Sequence, residues 1–358
     1  MSSNHNGNSS IVILYTELAD YLLSCINELS NHHVNVHVVN YPLNKDAPFQ
    51  FKETNNQIIF YKRSDYNTET LIKLIETLKP SLIYCAGWND KEYLNTVKHF
   101  KSKIPSLLGF DNQWNGSIKQ YLSAIYARIC ITPNFKYAFV PGNLQKKFAV
   151  MLGFKEQDII TGAYTANTTI FETIYHAEKI QKQVHFPKRF LYVGRYYEFK
   201  GIKELWQAFI ELQVEQPNDW ELWCLGIGDV EPIEHPKIKH FGFVQPSEIN
   251  KYTIQTGVFV LPSRFEPWGV VVHEFAASGF PLLLSNEVGA KEQFLQEGKN
   301  GFEFEAKNIQ SIKLALQKII HTSDVDLLNM GEKSNKLAQT ISPKTWTDSL
   351  LKIINKPL

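Results

Sequence analysis

Two glutamates, Glu266 and Glu274, lie eight residues apart beside the expected start of a helix. Glu266 precedes this helix, and Glu274 lies about one and a half turns inside it. The backbone N–H groups of Gly269, Val270 and Val271 in the first turn lack helical partners and favour an anion. An ionised carboxylate nearby can accept two hydroxyl donors at once. The pattern therefore indicates a ligand with both phosphate and sugar, and a nucleotide sugar has both.

A strand followed by a helix must position these groups. The apolar run that ends at Leu261 predicts a strand, which Pro262 closes. The helix is predicted to begin near Trp268–Gly269 and to end at Gly279, with Pro281 beyond it. Three consecutive valines favour a strand instead. The alternative is therefore a buried strand with two solvated glutamates outside it.

A second group of charged residues lies upstream. Phe190–Val193 predicts a short strand, and Arg195 and Lys200 follow it in a loop that leads into an amphipathic helix. Arg195 can bind two phosphate oxygens at once, and Lys200 supplies a compact point charge. The alternative is that both are ordinary surface cations.

Both segments resemble retaining glycosyltransferase family 4. That family has a proline–serine pair, then E-x7-E around a P-[FW]-G turn, an alanine-rich helix and a later glycine, and it has G-R-x4-K-G upstream. The matching positions are Gly194-Arg195, Lys200-Gly201, Pro262-Ser263, Glu266-Pro267-Trp268-Gly269, Glu274, Ala276-Ala277, Gly279, Pro281, Gly289 and Asn300-Gly301.

The resemblance implies a role for each of four charged residues. Arg195 and Lys200 would neutralise the donor diphosphate, and Glu266 would approach the donor sugar. Glu274 would hold the ribose. Arg195, Lys200 and Glu266 are thus the expected catalytic residues, and Glu274 binds the donor with the first turn of the helix.

Two further donor-binding positions are implied by weaker resemblances. Leu222–Gly226, followed by Gly228, is similar to the family's strand that ends in G-x-G, and its glycines would let the backbone approach the donor closely. His240–Val244 resembles the edge where relatives place the nucleobase against backbone groups. Gly226 and Val244 are the residues expected to contact the donor.

The chain alternates β-branched runs with amphipathic segments, which favours parallel sheets covered by helices. The resemblance implies an α/β fold of the GT-B type, with two Rossmann-like parallel-sheet domains facing a cleft and a C-terminal crossover helix. The expected acceptor-side domain comprises residues 1–180 with the helix 343–358, and the nucleotide-sugar-binding domain comprises 187–342. The polar stretch His176–Gln183 is the predicted linker.

Seven strands and four helices are predicted in the first half. The strands are Ile11–Tyr15, Val34–Asn40, Ile58–Tyr61, Ser81–Cys85, Pro105–Phe110, Tyr137–Val140 and Ile159–Thr161. The helices are Leu18–Leu29, Glu69–Leu78, Ile118–Ile129 and Leu144–Leu152.

The strand ends of the first half are expected to line the acceptor side, because open α/β sheets bind ligands there. Trp88 and Trp114 suit sugar C–H surfaces, although both could be core side chains. Asp111 could accept a hydrogen bond or a proton from the acceptor hydroxyl, or it could be an Asx-turn residue. The chain departs from the family here, since relatives usually carry a glycine-rich turn where Tyr15–Ala19 stands and many carry a histidine at the position of Asp111.

Size and composition exclude several classes of protein. The 358 residues suggest two domains, and a formal net charge of +1 gives no case for nucleic-acid binding. Cys25, Cys85, Cys130 and Cys224 are scattered, which favours reduced, buried thiols in a cytosolic protein. The eleven histidines form no metal-binding motif, and no run of eighteen apolar residues occurs. Residues 1–10 are polar and lack the features of a signal peptide.

The resemblance implies a retaining, metal-independent glycosyltransferase that needs no cofactor. It would move a sugar from a nucleoside-diphosphate sugar to a hydroxyl of a glycan or lipid-linked glycan, in the cytoplasm, with loose attachment to the inner face of a membrane left open. The alternatives are a nucleotide-sugar hydrolase or epimerase on the same fold, or a non-catalytic nucleotide-sugar-binding partner in polysaccharide assembly.

Overall fold

The computed structural model describes residues 9–42 and 56–356, which form two compact units. Unit 1 contains the described residues up to Thr165 and those from Pro343 onward, and unit 2 contains Ala166–Ser342. None of the helices in these described ranges combines the length and the apolar content that a membrane span needs.

The described part of unit 1 contains a parallel sheet of seven strands in the order β3-β2-β1-β4-β5-β6-β7. Its central strands are almost wholly buried, as expected for a parallel sheet whose two faces are both covered by helices. The strands are β1 Ser10–Leu14, β2 Asn35–Asn40, β3 Ile58–Lys62, β4 Leu82–Ala86, β5 Ser106–Gly109, β6 Tyr137–Val140 and β7 Ile159–Thr161. The helices are α1 Asp20–Asn31, α2 Thr68–Leu78, α3 Lys91–Phe100, α4 Ile118–Cys130 and α5 Asn143–Met151.

The sequence correctly predicts the strands and helices proposed for this half, with ends that differ by one or two residues. Helix α3 is an addition that the sequence analysis missed. Asp90 caps it by accepting hydrogen bonds from the N–H groups of Glu92 and Tyr93 at 2.8 and 3.1 Å. Asp90 also pairs with Arg63 at 2.6 Å, so it has a structural role in helix capping.

The last helix of the chain groups with unit 1. Helix α13, Pro343–Ile354, packs against α1. Its Trp346 is buried, with ring centroids 6.2 Å from Tyr84 and 6.0 Å from Phe139. The C-terminal segment therefore completes the core on one face of the first sheet.

The described part of unit 2 contains six parallel strands in the order β10-β9-β8-β11-β12-β13. The order in which strands are added reverses between β8 and β11: β9 and β10 extend the sheet to one side of β8, and β11 to β13 extend it to the other. The strands are β8 Arg189–Val193, β9 Glu221–Leu225, β10 Ile238–His240, β11 Val258–Leu261, β12 Leu282–Ser285 and β13 Gly301–Phe304. The helices are α6 Thr168–Val184, α7 Ile202–Glu215, α8 Asn250–Thr253, α9 Val270–Ala277, α10 Lys291–Phe294, α11 Ile309–Ile320 and α12 Asp324–Ala338.

The linker predicted at His176–Gln183 is wrong, because this stretch is part of helix α6. Glu178 and Lys182 lie one turn apart on it, and both are buried, with Lys182 Nζ 2.9 Å from Glu178 Oε2. Thr253 also donates a hydrogen bond of 2.5 Å to Glu178. Burial lowers the pKa of Lys182, and the neighbouring carboxylate opposes this shift. Glu178 and Lys182 suggested an exposed linker in the sequence, but in the structure they are paired with each other and buried in a helix.

Candidate functional site

The candidate site lies at the carboxyl ends of β8 and β11, where open α/β sheets bind ligands. Lys200 ends a single turn of 3-10 helix, Glu198–Lys200, that follows β8. Gly201 comes next with φ of +67°, and a Cβ atom there would lie 2.1 Å from the carbonyl oxygen of Pro262. Only glycine lets the loop after β8 rest directly on the backbone that follows β11.

This close approach brings Lys200 and Glu266 together. The Lys200 ammonium donates a hydrogen bond to Glu266 Oε2, and the Ser263 hydroxyl donates another to the same oxygen at 3.1 Å. The side chains of Lys200 and Glu266 are 18% and 12% exposed, so both are largely buried but still reachable from solvent. The structure therefore places two of the predicted catalytic residues in one contact.

Arg264 holds the loop that carries Lys200, and the sequence analysis missed it. Its backbone N–H donates to the carbonyl of Phe199 at 2.8 Å. Its guanidinium lies 2.8 Å from Glu198 and donates to Glu204 at 2.6 Å. Arg264 therefore binds both the 3-10 turn that contains Lys200 and the first turn of α7. The sequence offered one sign of this role: Arg264 is a charged residue three positions after the end of β11, at the edge where the site lies.

Helix α9 begins at Val270, so the strand alternative for the three valines is wrong. Gly269 precedes it with φ of +90°, and no side chain caps the first turn. The segment before the helix is also fixed, because Glu266 pairs with Val288 in a parallel bridge. The N–H groups of Gly269, Val270 and Val271, which no side chain caps, therefore begin three residues after Glu266 at the start of the helix, as the sequence predicts.

Arg195 and Glu274 belong to the same edge of the sheet, and both are half-buried. Arg195 lies two residues after β8, with its guanidinium carbon 6.0 Å from the centre of the Tyr197 ring. Its carbonyl accepts a hydrogen bond of 2.9 Å from the Tyr192 hydroxyl. Glu274 is the fifth residue of α9, as expected from its distance from the helix start.

Gly226 allows a close approach, but the partner is the protein backbone. Its φ is +144°, and a Cβ atom would lie 1.9 Å from the carbonyl oxygen of Gly194. Its N–H donates to the Gly242 carbonyl at 2.7 Å. The loop after β9 is therefore packed between the loops after β8 and β10. Val244 follows in the last of these and is half-buried.

His273 is a buried residue of α9 that the sequence analysis did not single out. Its Nδ1 accepts a hydrogen bond from the Ala166 N–H at 2.9 Å, and its Nε2 lies 2.8 Å from the Ala338 carbonyl. Burial lowers its pKa to about 4, although hydrogen bonds to backbone carbonyls oppose the shift. The imidazole is therefore neutral at pH 7, with its proton on Nε2.

The neutral form of His273 makes unit 2 sensitive to acid. Its pKa is about 4 in the folded state against 6.5 for an ordinary histidine side chain, so the unfolded chain binds more protons between these values. Stability should therefore fall as pH falls from about 6.5 to 4, by about 3 kcal/mol from this residue. We expect urea unfolding of His273→Gln to lack this component, whereas the exposed-site control His32→Gln retains it. Equal pH slopes for all three proteins would contradict the assignment.

Trp88 and Trp114 lie in unit 1 and pack on its aromatic core. The Trp88 ring centroid is 5.3 Å from that of Phe110, and the Trp114 centroid is 5.8 Å from that of Phe148. Each ring is only half-buried. Both are thus core residues in part, and contact with an acceptor remains a prediction for their exposed edges.

Asp111 follows β5 and lies near a group of tyrosines that the sequence analysis did not assemble. Burial raises the pKa of Tyr21 to about 12, and the Asp111 carboxylate adds to the shift. Burial also raises the pKa of Tyr84 and of Tyr164, and smaller contributions come from neighbouring tyrosines and from Asp111. Tyr21 and Tyr164 contact each other edge to face, at 5.6 Å. Tyr84 is a buried core residue, whereas Tyr21 and Tyr164 are half-buried near the Asp111 carboxylate.

The cysteines differ in one respect from the prediction. Cys25, Cys85 and Cys224 are buried, but Cys130 at the end of α4 is exposed. Within the described ranges, no group of three or more His, Cys, Asp or Glu side chains is arranged to hold a metal ion.

Comparison with solved structures identifies the fold. Sucrose-phosphate synthase from Thermosynechococcus elongatus is 16% identical, with a TM-score of 0.68 over 96% of this chain and 98% of that chain. HepE from Anabaena, in complex with UDP and glucose, is 12% identical, with a TM-score of 0.69 over 96% and 98%. The chain has the GT-B fold, which confirms the predicted class of two Rossmann-like parallel-sheet domains.

Comparison of sequences places unit 2 near one family. Residues 187–322 match the model described as glycosyl transferases group 1. This segment contains Arg195, Lys200, Glu266 and Glu274. An uncharacterized glycosyltransferase from Methanocaldococcus jannaschii is 30% identical over 143 residues, which are 37% of this chain and 36% of the relative. The chain spans less than half the length of the curated relatives it matches first, at 44%, 36% and 43%.

Proposed function

We propose that the protein is a retaining, metal-independent glycosyltransferase. It moves a sugar from a nucleoside-diphosphate sugar to a hydroxyl of a glycan or lipid-linked glycan, at the cytoplasmic side of a membrane and in polysaccharide biosynthesis. The observation that carries the proposal is the contact between Lys200 and Glu266. It lies at the topological switch point of the second sheet, between β8 and β11. This contact falls within the segment that matches the glycosyltransferase model.

The pair can bind both parts of a donor. An ammonium group has three N–H donors, so Lys200 can hold Glu266 and a phosphate oxygen together. The Lys200 and Ser263 hydrogen bonds to the Glu266 side chain both use Oε2, so Oε1 would accept from a sugar hydroxyl of the donor. Arg195 and the first turn of α9 would bind the remaining phosphate oxygens. Glu274 would accept the ribose hydroxyls.

Transfer then requires stabilisation of the leaving diphosphate. The bond between the anomeric carbon and the diphosphate oxygen breaks, and the acceptor oxygen attacks the same face of the sugar. The acceptor proton passes to the departing phosphate oxygen. Positioned cations and backbone N–H groups stabilise the charge that develops there, so no carboxylate nucleophile is needed. Asp111, Trp88 and Trp114 are proposed contacts of the acceptor.

The test combines donor binding with product analysis. UDP-sugars head the donor panel because HepE was solved with UDP. We expect one donor to raise the melting temperature of the protein, and we expect transfer to continue in EDTA with retention at the anomeric carbon by NMR. Glu274→Ala should lose the donor-dependent shift, whereas Glu287→Ala, which alters an exposed carboxylate, should keep it.

Each alternative gives a different result in these assays. Complete conversion of the donor without an acceptor would indicate a hydrolase or epimerase. An inverted product would contradict the retaining mechanism, and loss of turnover in EDTA would contradict metal independence. Donor binding without any conversion would indicate a binding protein.

A further inference from the structure

Helix α4 of unit 1 exposes its apolar side chains and buries its small ones. Its buried residues are two alanines, Ala124 and Ala127. Six large apolar side chains are instead between 50% and 79% exposed. They are Ile118, Tyr121, Leu122, Ile125, Tyr126 and Ile129. A surface helix of a globular protein has the opposite arrangement.

The six side chains form one continuous stripe along the helix. From Ile118 to Ile129 the successive separations are three, one, three, one and three residues. Residues three or four apart lie on the same side of a helix, so the six side chains cover a single face. At 1.5 Å per residue, the helix and its stripe are about 20 Å long. Scattered surface hydrophobic residues need no explanation, but a contiguous stripe of this size marks an interaction surface.

The segment that carries this stripe is strongly basic, which the net charge of the whole chain hides. Residues 112–155 contain six lysines and arginines and no aspartate or glutamate. The rest of the chain then has a formal net charge of −5. On the helix, Lys119 and Arg128 are both exposed, and the helical period of 100° per residue puts one on each side of the stripe. The Arg128 guanidinium also donates a hydrogen bond to the main-chain carbonyl of Met151 at 2.8 Å.

We propose that α4 docks this protein on a lipid bilayer that contains anionic lipids. An amphipathic helix with isoleucine, leucine and tyrosine on one face and cations at its flanks lies in the plane of a membrane surface. The apolar stripe enters the boundary between headgroups and acyl chains, Lys119 contacts lipid phosphates, and Arg128 adds positive charge at the opposite flank of the stripe. The docking surface belongs to unit 1 and does not depend on the transfer reaction proposed above.

The charge favours a membrane over a second copy of the chain. A symmetric dimer through α4 would place the same surface of each copy against the other. The basic segment would then face itself, and like charges across an interface are unfavourable. Anionic lipids offer the opposite charge and an apolar layer together.

Cys130 provides a native probe for the test. It is exposed at the end of α4, whereas Cys25, Cys85 and Cys224 are buried, so a thiol-reactive NBD dye should label it selectively. We expect the NBD emission to shift to the blue and to increase on mixing with phosphatidylglycerol–phosphatidylcholine vesicles. Pure phosphatidylcholine vesicles should give a weaker response, and high salt should weaken the response to anionic vesicles.

The double variant Leu122→Gln/Ile125→Gln tests the stripe directly. Both side chains are exposed, so their replacement leaves the core intact. We expect unlabelled variant protein to lose affinity for anionic vesicles by roughly tenfold or more in flotation, with an unchanged melting temperature. The matched control is Ile180→Gln/Val214→Gln, which removes two side chains that are 73% and 77% exposed on other helices. The control should bind as the unaltered protein does.

Three results would overturn the proposal. One is failure of the unaltered protein to bind anionic vesicles at low salt, and another is equal binding by the α4 variant and the control. The third is light scattering that shows a dimer which the α4 substitutions dissociate, because the stripe would then be the interface with a second copy.

Discussion

Replacing Lys200 with alanine is expected to lower kcat/KM for sugar transfer by about 100- to 1,000-fold. The ammonium group is held against Glu266 at the carboxyl edge of the second sheet, where charge on the leaving diphosphate would develop. Removing it takes away a positioned positive charge and leaves the partly buried Glu266 carboxylate with the Ser263 hydroxyl alone. Steady-state kinetics with the donor that the thermal-shift panel selects would measure the loss.

Lys203→Ala is the matched control for this prediction. Lys203 lies three residues further along, in the first turn of α7, and its side chain is 58% exposed where it pairs with Glu198. Its removal should change kcat/KM by less than about twofold, because an exposed ion pair contributes little. Comparable losses for the two variants would show that Lys200 has no special role, provided that both retain the melting temperature of the unaltered protein.

Gly201→Ala is expected to lower the free energy of unfolding by about 3 kcal/mol and to reduce transfer with it. The left-handed φ of +67° is unfavourable for alanine, and the added Cβ would lie 2.1 Å from the Pro262 carbonyl oxygen. The two loops must separate to make room, and this movement draws Lys200 away from Glu266. Urea unfolding and donor affinity would be measured on the same preparation.

A substitution at Gly298 distinguishes the two causes of the loss at Gly201, namely the left-handed backbone conformation and the clash of the added Cβ with another loop. Its φ is +70°, almost the value at Gly201, but no atom lies within 4 Å of the Cβ position. Gly298→Ala should therefore show only the backbone cost, about 1 kcal/mol, with unchanged donor affinity. If both alanine variants lost the same stability, the contact between the loops would not be the reason for a glycine at position 201.

The sequence predicts where the proposed donor-side residues lie in the fold because their positions depend on local order, and their roles stay predictions. Glu266 and Gly269 follow one strand, and Lys200 follows another, so the parallel sheet brings them to one edge. The start of α9 is also set locally, since Pro267 and Gly269 directly precede it. Three valines do not prevent the helix, because burial of its apolar residues against the sheet outweighs their intrinsic preference.

Other features could not be predicted because they depend on partners far away in the chain. Glu178 and Lys182 looked like linker residues until Thr253, Phe280 and their mutual pairing accounted for their burial. His273 is neutral because Ala166 and Ala338 bind its two nitrogens, from 107 and 65 residues away. No pattern within a single segment contains such information.

Helices α3 and α4 show two other reasons for incomplete prediction. Tyr93, Val97 and Phe100 have helical spacing, and Asp90 is a typical cap, so α3 could have been found from the sequence. Helix α4 was predicted with nearly correct ends, but the sequence analysis did not say which of its faces is buried. Only the structure shows that the alanines face inward, because periodicity gives the faces of a helix and not their direction.

The packing of Gly226 against Gly194 has a consequence for engineering donor preference. The loops that follow β8, β9 and β11 rest on one another through main-chain atoms, with carbonyl oxygens in the space that a methyl group would need at Gly201 and Gly226. A one-residue insertion in any of these loops would displace the other two. Libraries that aim to change the accepted sugar should therefore keep these three loop lengths constant and vary side chains at their surface.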